Sequence, residues 1–141
     1  MVSMLNHTTV DGKPVLDLVK EGRLKNESLV AIVDRTKNGG AEIVKLLEKG
    51  SAFYAPAASG VEMAESYLKD QKKQLPCAAY LDGQYGFKDL YAGVPVIVGK
   101  DGIEKIIEIN LSNEEKINFN NSIKSVQELC DAAKKIDTNL I

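Results

Sequence analysis

Two stretches of the chain repeat their apolar side chains at the helical period. From Leu29 onward, Val30, Val33, Ile43, Val44, Leu46 and Leu47 fall at that spacing and stop at Gly50, with Lys45 and Lys49 suited to the negative end of a helix dipole. The spacing predicts one long helix, with Asn26 able to cap it. Gly39-Gly40 interrupts the run. Each glycine costs about 1 kcal/mol relative to alanine inside a helix, so the pair predicts a kink or a neighbouring backbone packed very close. The second stretch opens with Ser112 and Glu115, a capping box, after which Ile117, Ile123, Val126, Leu129, Cys130, Ala133 and Ile136 line one face. That pattern predicts a C-terminal helix packed on a sheet.

Between them the period changes. Pro56 suits the first turn of a helix, where its missing N–H would lack a partner anyway, and Ala57, Val61, Ala64 and Leu68 follow one face to about Gln71. LPCAAYL then reads as a strand, Asp82-Gly83 as a hairpin turn, and QYGFKDLY as extended chain again. VPVIVGKDGIEKIIEI is a second hairpin, turning at Lys100-Asp101-Gly102. At the start, residues 1–15 read as an extended segment closing at DGKP, and LDLVKEG as about one helical turn stopped by Gly22. Helices, then antiparallel hairpins, then a helix, without a repeating βαβ pattern, predict an α+β fold in a single domain over 1–141.

Composition narrows the picture. The 141 residues are 44% hydrophobic and 27% charged, as in an average soluble globular protein. A net charge of −2 with no dense basic stripe argues against a nucleic-acid partner. MVSMLNHTT has neither a basic leader nor an apolar core segment, and no run is long enough to span a bilayer, so a cytoplasmic location without a membrane partner is expected. Cys77 and Cys130 form no CxxC, and His7 is the single histidine, so zinc spacing is absent and both cysteines read as reduced, buried small hydrophobes.

Little of the usual chemistry is present. There is no G-x-G-x-x-G for a dinucleotide, and Gly83 with Gly86, like Gly99 with Gly102, is explained by hairpin turns. No G-x-S-x-G elbow offers a serine nucleophile. His7 lies in an apparently extended segment with no aspartate that must pair with it, and Asp34, Arg35, Glu42, Glu62 and Glu65 are spaced like solvated helix faces. One stretch stands out: GSAFYAPAASGVEMAESYLKD (50–70) begins a helix with small residues around two aromatics, which suits either tight packing or the wall of a pocket.

Three segments together carry a resemblance: RTKNGGAEIVKLLEKGSAFYAPAAS (35–59), AESYLKDQKKQLPCAAYLDGQYG (64–86) and DLYAGVPVIVGKDGIEKIIEINLSNEEK (89–116). Their order and spacing resemble the C-terminal, substrate-binding half of NAD-dependent malate dehydrogenases in the lactate/malate dehydrogenase family, over nearly the whole chain. The resemblance implies hydride transfer between malate and NAD in a complete enzyme that also has a Rossmann half. It implies a dicarboxylate substrate, malate or oxaloacetate, and a homo-oligomer. In the family the catalytic histidine sits in a G-G-H-G-D segment, ahead of the stretch matching MVSMLNHTTV, and the residues setting malate against lactate lie largely upstream too. His7 therefore does not inherit the catalytic role. Ala55 and Ser59 match positions that line the substrate and nicotinamide side of the pocket. The expectation is a truncated enzyme that binds no NAD and is inactive alone. The alternative is a non-catalytic oligomerisation module that has kept this fold.

Overall fold

A computed structural model describes residues 1–137 and 140. The chain groups into two units, Met1–Tyr54 with Leu111–Asn118, and Ala55–Asn110 with the residues from Phe119 onward.

In the first unit a one-turn 3-10 helix, Leu5–His7, leads into the two short strands β1 (Thr9–Val10) and β2 (Lys13–Pro14). They pair antiparallel, Thr9 opposite Pro14, and the DG turn expected at this place has both residues at positive φ, +50° at Asp11 and +77° at Gly12. His7 thus belongs to a turn of helix, where extended chain was expected. Helix α1 (Val15–Lys20) ends where Gly22 takes φ +70°, and the N–H groups of Arg23 and Leu24 both donate to the Leu18 carbonyl.

Helix α2 (Asn26–Leu47) departs from expectation twice. Leu29 N–H donates to the Lys25 carbonyl at 3.1 Å, so Lys25 holds the cap position and Asn26 lies inside the first turn without a capping bond. The helix also runs unbroken through Gly39-Gly40, and nothing lies within 4 Å of where a Cβ on either would stand. Among the described residues, no close approach explains those two glycines. Only Leu29 on α2 is fully packed, together with Val15 of α1.

The capping box of α4 (Asn113–Ile136) forms as expected, with Glu115 N–H donating to Ser112 Oγ at 3.2 Å and Ser112 N–H donating to Glu115 Oε2 at 2.9 Å. Its carboxylate, buried at 6% exposure, also accepts the Asn6 side-chain amide at 2.9 Å. Burial alone would push this carboxyl up, but the N–H groups of Ser112 and Asn6 outweigh it and hold the pKa below the ordinary carboxylate value. Such a depressed group adds stability that is complete above its unfolded pKa, about 4.3, and lost as pH falls through the lower folded value. Chemical denaturation from about pH 6 to about pH 3 should therefore show a steeper acid loss in the wild type than in Glu115→Gln. The variant should be weaker by about 1–3 kcal/mol at neutral pH because its amide cannot accept every bond.

The second unit is built on helix α3 (Tyr54–Leu68), all but its first residue, and a three-stranded antiparallel sheet of order β3-β4-β5: β3 (Lys73–Asp82), β4 (Lys88–Gly99) and β5 (Gly102–Ile106). Side chains alternate across it, so Cys77, Ala79 and Leu81 of β3 and Leu90, Ala92, Val94, Val96 and Val98 of β4 form one buried face. Pro76 faces Pro95, a pairing tolerated only where neither residue must donate to the other. The β4–β5 turn falls at Lys100-Asp101, as expected, closing on the Gly99–Gly102 pair.

The β3–β4 connection is not the tight turn anticipated at Asp82-Gly83. A 3-10 turn, Gln84–Gly86, follows Gly83, with Tyr85 held at φ +55°. Tertiary bonds account for it: Tyr85 N–H donates to Glu108 at 2.7 Å, its hydroxyl donates to the Ile107 carbonyl at 2.6 Å, and Ile109 N–H donates to that hydroxyl at 3.1 Å. The Tyr85 ring meets Phe119 of α4 at 5.2 Å, and Phe87 meets it edge-on at 5.9 Å. Phe119 and Ile123 are buried, but Ile117 is 61%, Leu129 72% and Ile136 88% exposed, so the apolar face read along α4 is covered around Ile123 and open at both ends. Cys77 is buried and free as expected; Cys130 is free but exposed, which corrects that expectation.

Candidate functional site

The small-residue start of α3 is the candidate site. Ala55 and Ser59 are one helical turn apart on the same face and both are exposed. Glu62 and Ser66 continue that face for two further turns. Ser66 has no exposed surface; its hydroxyl donates to the Val98 carbonyl at 2.6 Å and accepts the Lys73 N–H at 3.2 Å. Two positive-φ residues, Asp70 (+48°) and Lys72 (+52°), end the helix at Leu68, short of the expected Gln71, and turn the chain into β3, while Gln71 N–H donates to the Ser66 carbonyl.

The consequence is mechanical. One face of α3 is bolted to β4 at its C-terminal end by a buried hydroxyl and presents Ala55 and Ser59 at the other. Glu62 adds an exposed pair with Lys73 at 3.2 Å, worth little by itself. Sequence reasoning missed Ser66. A serine in a helix reads as surface, and the only available signal was that it falls three turns after Ala55 on the same stripe.

Chemically, the start of α3 presents small, uncharged side chains at Ala55 and Ser59, with the Glu62 carboxylate about one turn further along the same face. No acidic residue stands in the first turn of α3, so the N–H groups of the helix start are not opposed by a carboxylate of that turn. Small side chains and a helix start suit contact with a flat ring or a carboxylate. The 141 residues contain no G-x-G-x-x-G loop of the kind that cradles a dinucleotide pyrophosphate. Among the described residues, no group of three or more His, Cys, Asp or Glu could hold a metal ion, and no helix is long and apolar enough to cross a membrane.

Comparison with known proteins places this wall in context. Residues 1–137 match the family described as lactate/malate dehydrogenase, alpha/beta C-terminal domain. The chain is 62% identical over 140 residues to malate dehydrogenase of Pelagibacter ubique (strain HTCC1062), covering 99% of this chain and 44% of that protein. The crystal structure of Cryptosporidium parvum malate dehydrogenase superposes with a TM-score of 0.90 at 46% identity, over 93% of this chain and 42% of that one. That of Eimeria maxima lactate dehydrogenase with NADH and oxamate gives 0.91 at 41% identity, over 96% and 42%. The chain spans less than half the length of each of these relatives. With the antiparallel sheet, the anchored small-residue helix and these matches in agreement, the chain belongs to the lactate/malate dehydrogenase family, to its C-terminal domain.

Proposed function

We propose that these residues are the substrate-binding part of an NAD-dependent malate dehydrogenase, which passes hydride between malate and NAD, and that Ala55 and Ser59 form the wall against which oxaloacetate and the nicotinamide ring rest. The observation that carries this reading is the anchoring of the α3 face by the fully buried Ser66 hydroxyl on Val98. It holds two small side chains at a fixed place where bulk would collide with a ligand. The Eimeria relative, a lactate dehydrogenase solved with NADH and oxamate, supports it, because oxamate, although a monocarboxylate, shares with oxaloacetate a carboxylate next to a carbonyl.

Without the rest of the machinery these 141 residues neither bind NAD firmly nor turn substrate over. They work in the cytoplasm and pair with copies of themselves. The second reading, a non-catalytic oligomerisation module, is favoured by one observation: Val30, Ile32, Leu46 and Leu47 of α2 are all exposed.

Ala55→Leu, made in the complete malate dehydrogenase carrying these residues, tests the wall. The added side chain should raise the oxaloacetate KM by roughly tenfold or more, equivalent to about 1.4 kcal/mol of lost binding, while thermal stability is unchanged because Ala55 is exposed. An unchanged KM removes Ala55 from the site.

A further inference from the structure

Of the eleven glycines in the chain, Gly99 is the one where a side chain would collide. Its φ lies outside the left-handed region, so the glycine is there for space and not for backbone freedom. A Cβ at this place would run into the Glu104 carboxylate and stand 2.9 Å from Asp70 Oδ1. Both groups are held. Asp70 Oδ1 accepts the Lys100 N–H at 3.0 Å, and Glu104 of β5 pairs through Oε2 with Lys72 at 3.3 Å. Asp70 and Lys72 are the two positive-φ residues that turn the chain out of α3, and such backbone persists only where surrounding bonds fix it.

Three consecutive residues at the end of β4 thus receive the end of α3. The Val98 carbonyl takes the Ser66 hydroxyl at 2.6 Å, Gly99 leaves room for the two carboxylates, and the Lys100 N–H holds Asp70. A single point of attachment at Ser66 fixes where the helix stands but not the direction of its axis. The Asp70 and Lys72 bonds, on the turn beyond, supply the further points that fix the direction. Ala55 lies eleven residues before Ser66, about 16 Å along the axis, so a tilt of about 5° at this clasp carries the wall by about 1.5 Å. Where reacting groups must align, a misplacement of about 1 Å costs on the order of a hundredfold in rate. We infer that Gly99, Asp70, Lys72 and Glu104 are positioning residues for the malate dehydrogenase reaction, which rests on the reading of Ala55 and Ser59 as the wall: they set the angle of α3, and so the place of those two side chains, without touching substrate.

Steady-state kinetics of the complete malate dehydrogenase carrying these residues test it, with circular dichroism and melting temperature recording that each variant is folded during the assay. Gly99→Val suits a strand but drives both carboxylates from the gap. It should lower kcat roughly tenfold while the oxaloacetate KM changes less than about twofold, because the wall is tilted and not filled. Ala55→Leu does the reverse and raises KM. Asp70→Ala should also lower kcat, and Asp70→Asn, which keeps an oxygen for the Lys100 N–H, should restore most of it; lost stability alone would not sort the two by their acceptor atom. Glu104→Ala clears part of the gap, so Gly99→Ala should cost less in that background than in the wild type. If Gly99→Val does not fold, the Asp70 variants decide. Unchanged kcat in folded Asp70→Ala, or no recovery in Asp70→Asn, overturns the clasp while the wall stands on its own KM result. An unchanged KM in Ala55→Leu overturns the wall and the clasp's role with it.

Discussion

Purified chain mixed with NADH and oxaloacetate will leave the nicotinamide absorbance unchanged over a time in which a complete malate dehydrogenase exhausts its substrate. The reason is positional. Hydride transfer needs the ring, the substrate carbonyl and a proton donor held together, and that alignment alone accounts for about five to eight orders of magnitude in effective concentration. These 141 residues contain a single histidine, His7, at the end of a 3-10 turn, and no glycine-rich loop for the coenzyme phosphates. In the function proposed above, what they supply is a wall of two small side chains on α3, which orients a ligand but moves no proton. Stopped-flow and overnight assays bracket the possible rates. Turnover at ordinary enzyme speed by this chain would refute the proposed division of labour.

Leu81→Ala should lower the unfolding free energy by about 2–5 kcal/mol, a shift of the denaturant midpoint with little change in slope. Leu81 has no exposed surface, lies opposite Leu90 beside the irregularity at the end of β3, and belongs to the buried face that includes the fully covered Val96. Leu129→Ala is the control. At 72% exposure it should cost no more than about 0.5 kcal/mol. Equal effects at the two positions would mean that the sheet face is not the core of this unit.

Local signals were legible wherever they are self-contained. The Asp11-Gly12 turn, the stop at Gly22, the Lys100-Asp101 turn and the Ser112–Glu115 capping box each depend on a few neighbouring residues whose φ preferences or side-chain reach decide the outcome. The alternation in β3 and β4, and hence the antiparallel α+β character, follows from a period of two that one buried face imposes. The family was legible for a different reason, since GGAEIV, DGQYG and LYAGVPVIVG are long enough and ordered enough to be specific.

Other features waited for partners distant in sequence. Tyr85 adopts a strained φ because the Ile107 carbonyl, the Glu108 carboxylate and the Ile109 N–H converge on it from more than twenty residues away. Ser66 became the anchor of the candidate site only once Val98 was beside it. The same apolar spacing on α4 buries Ile123 and leaves Ile136 almost wholly exposed, because period shows which side chains share a face but not how far the neighbouring element extends. The sequence by itself determined most of the elements, the Asp11-Gly12 and Lys100-Asp101 turns and the kinship, all governed by short-range backbone preference and pattern. Only the tertiary structure decided which of those faces is covered, which serine bears the load and which glycines stand open, because burial is a property of two surfaces meeting and one strand of letters describes only one of them.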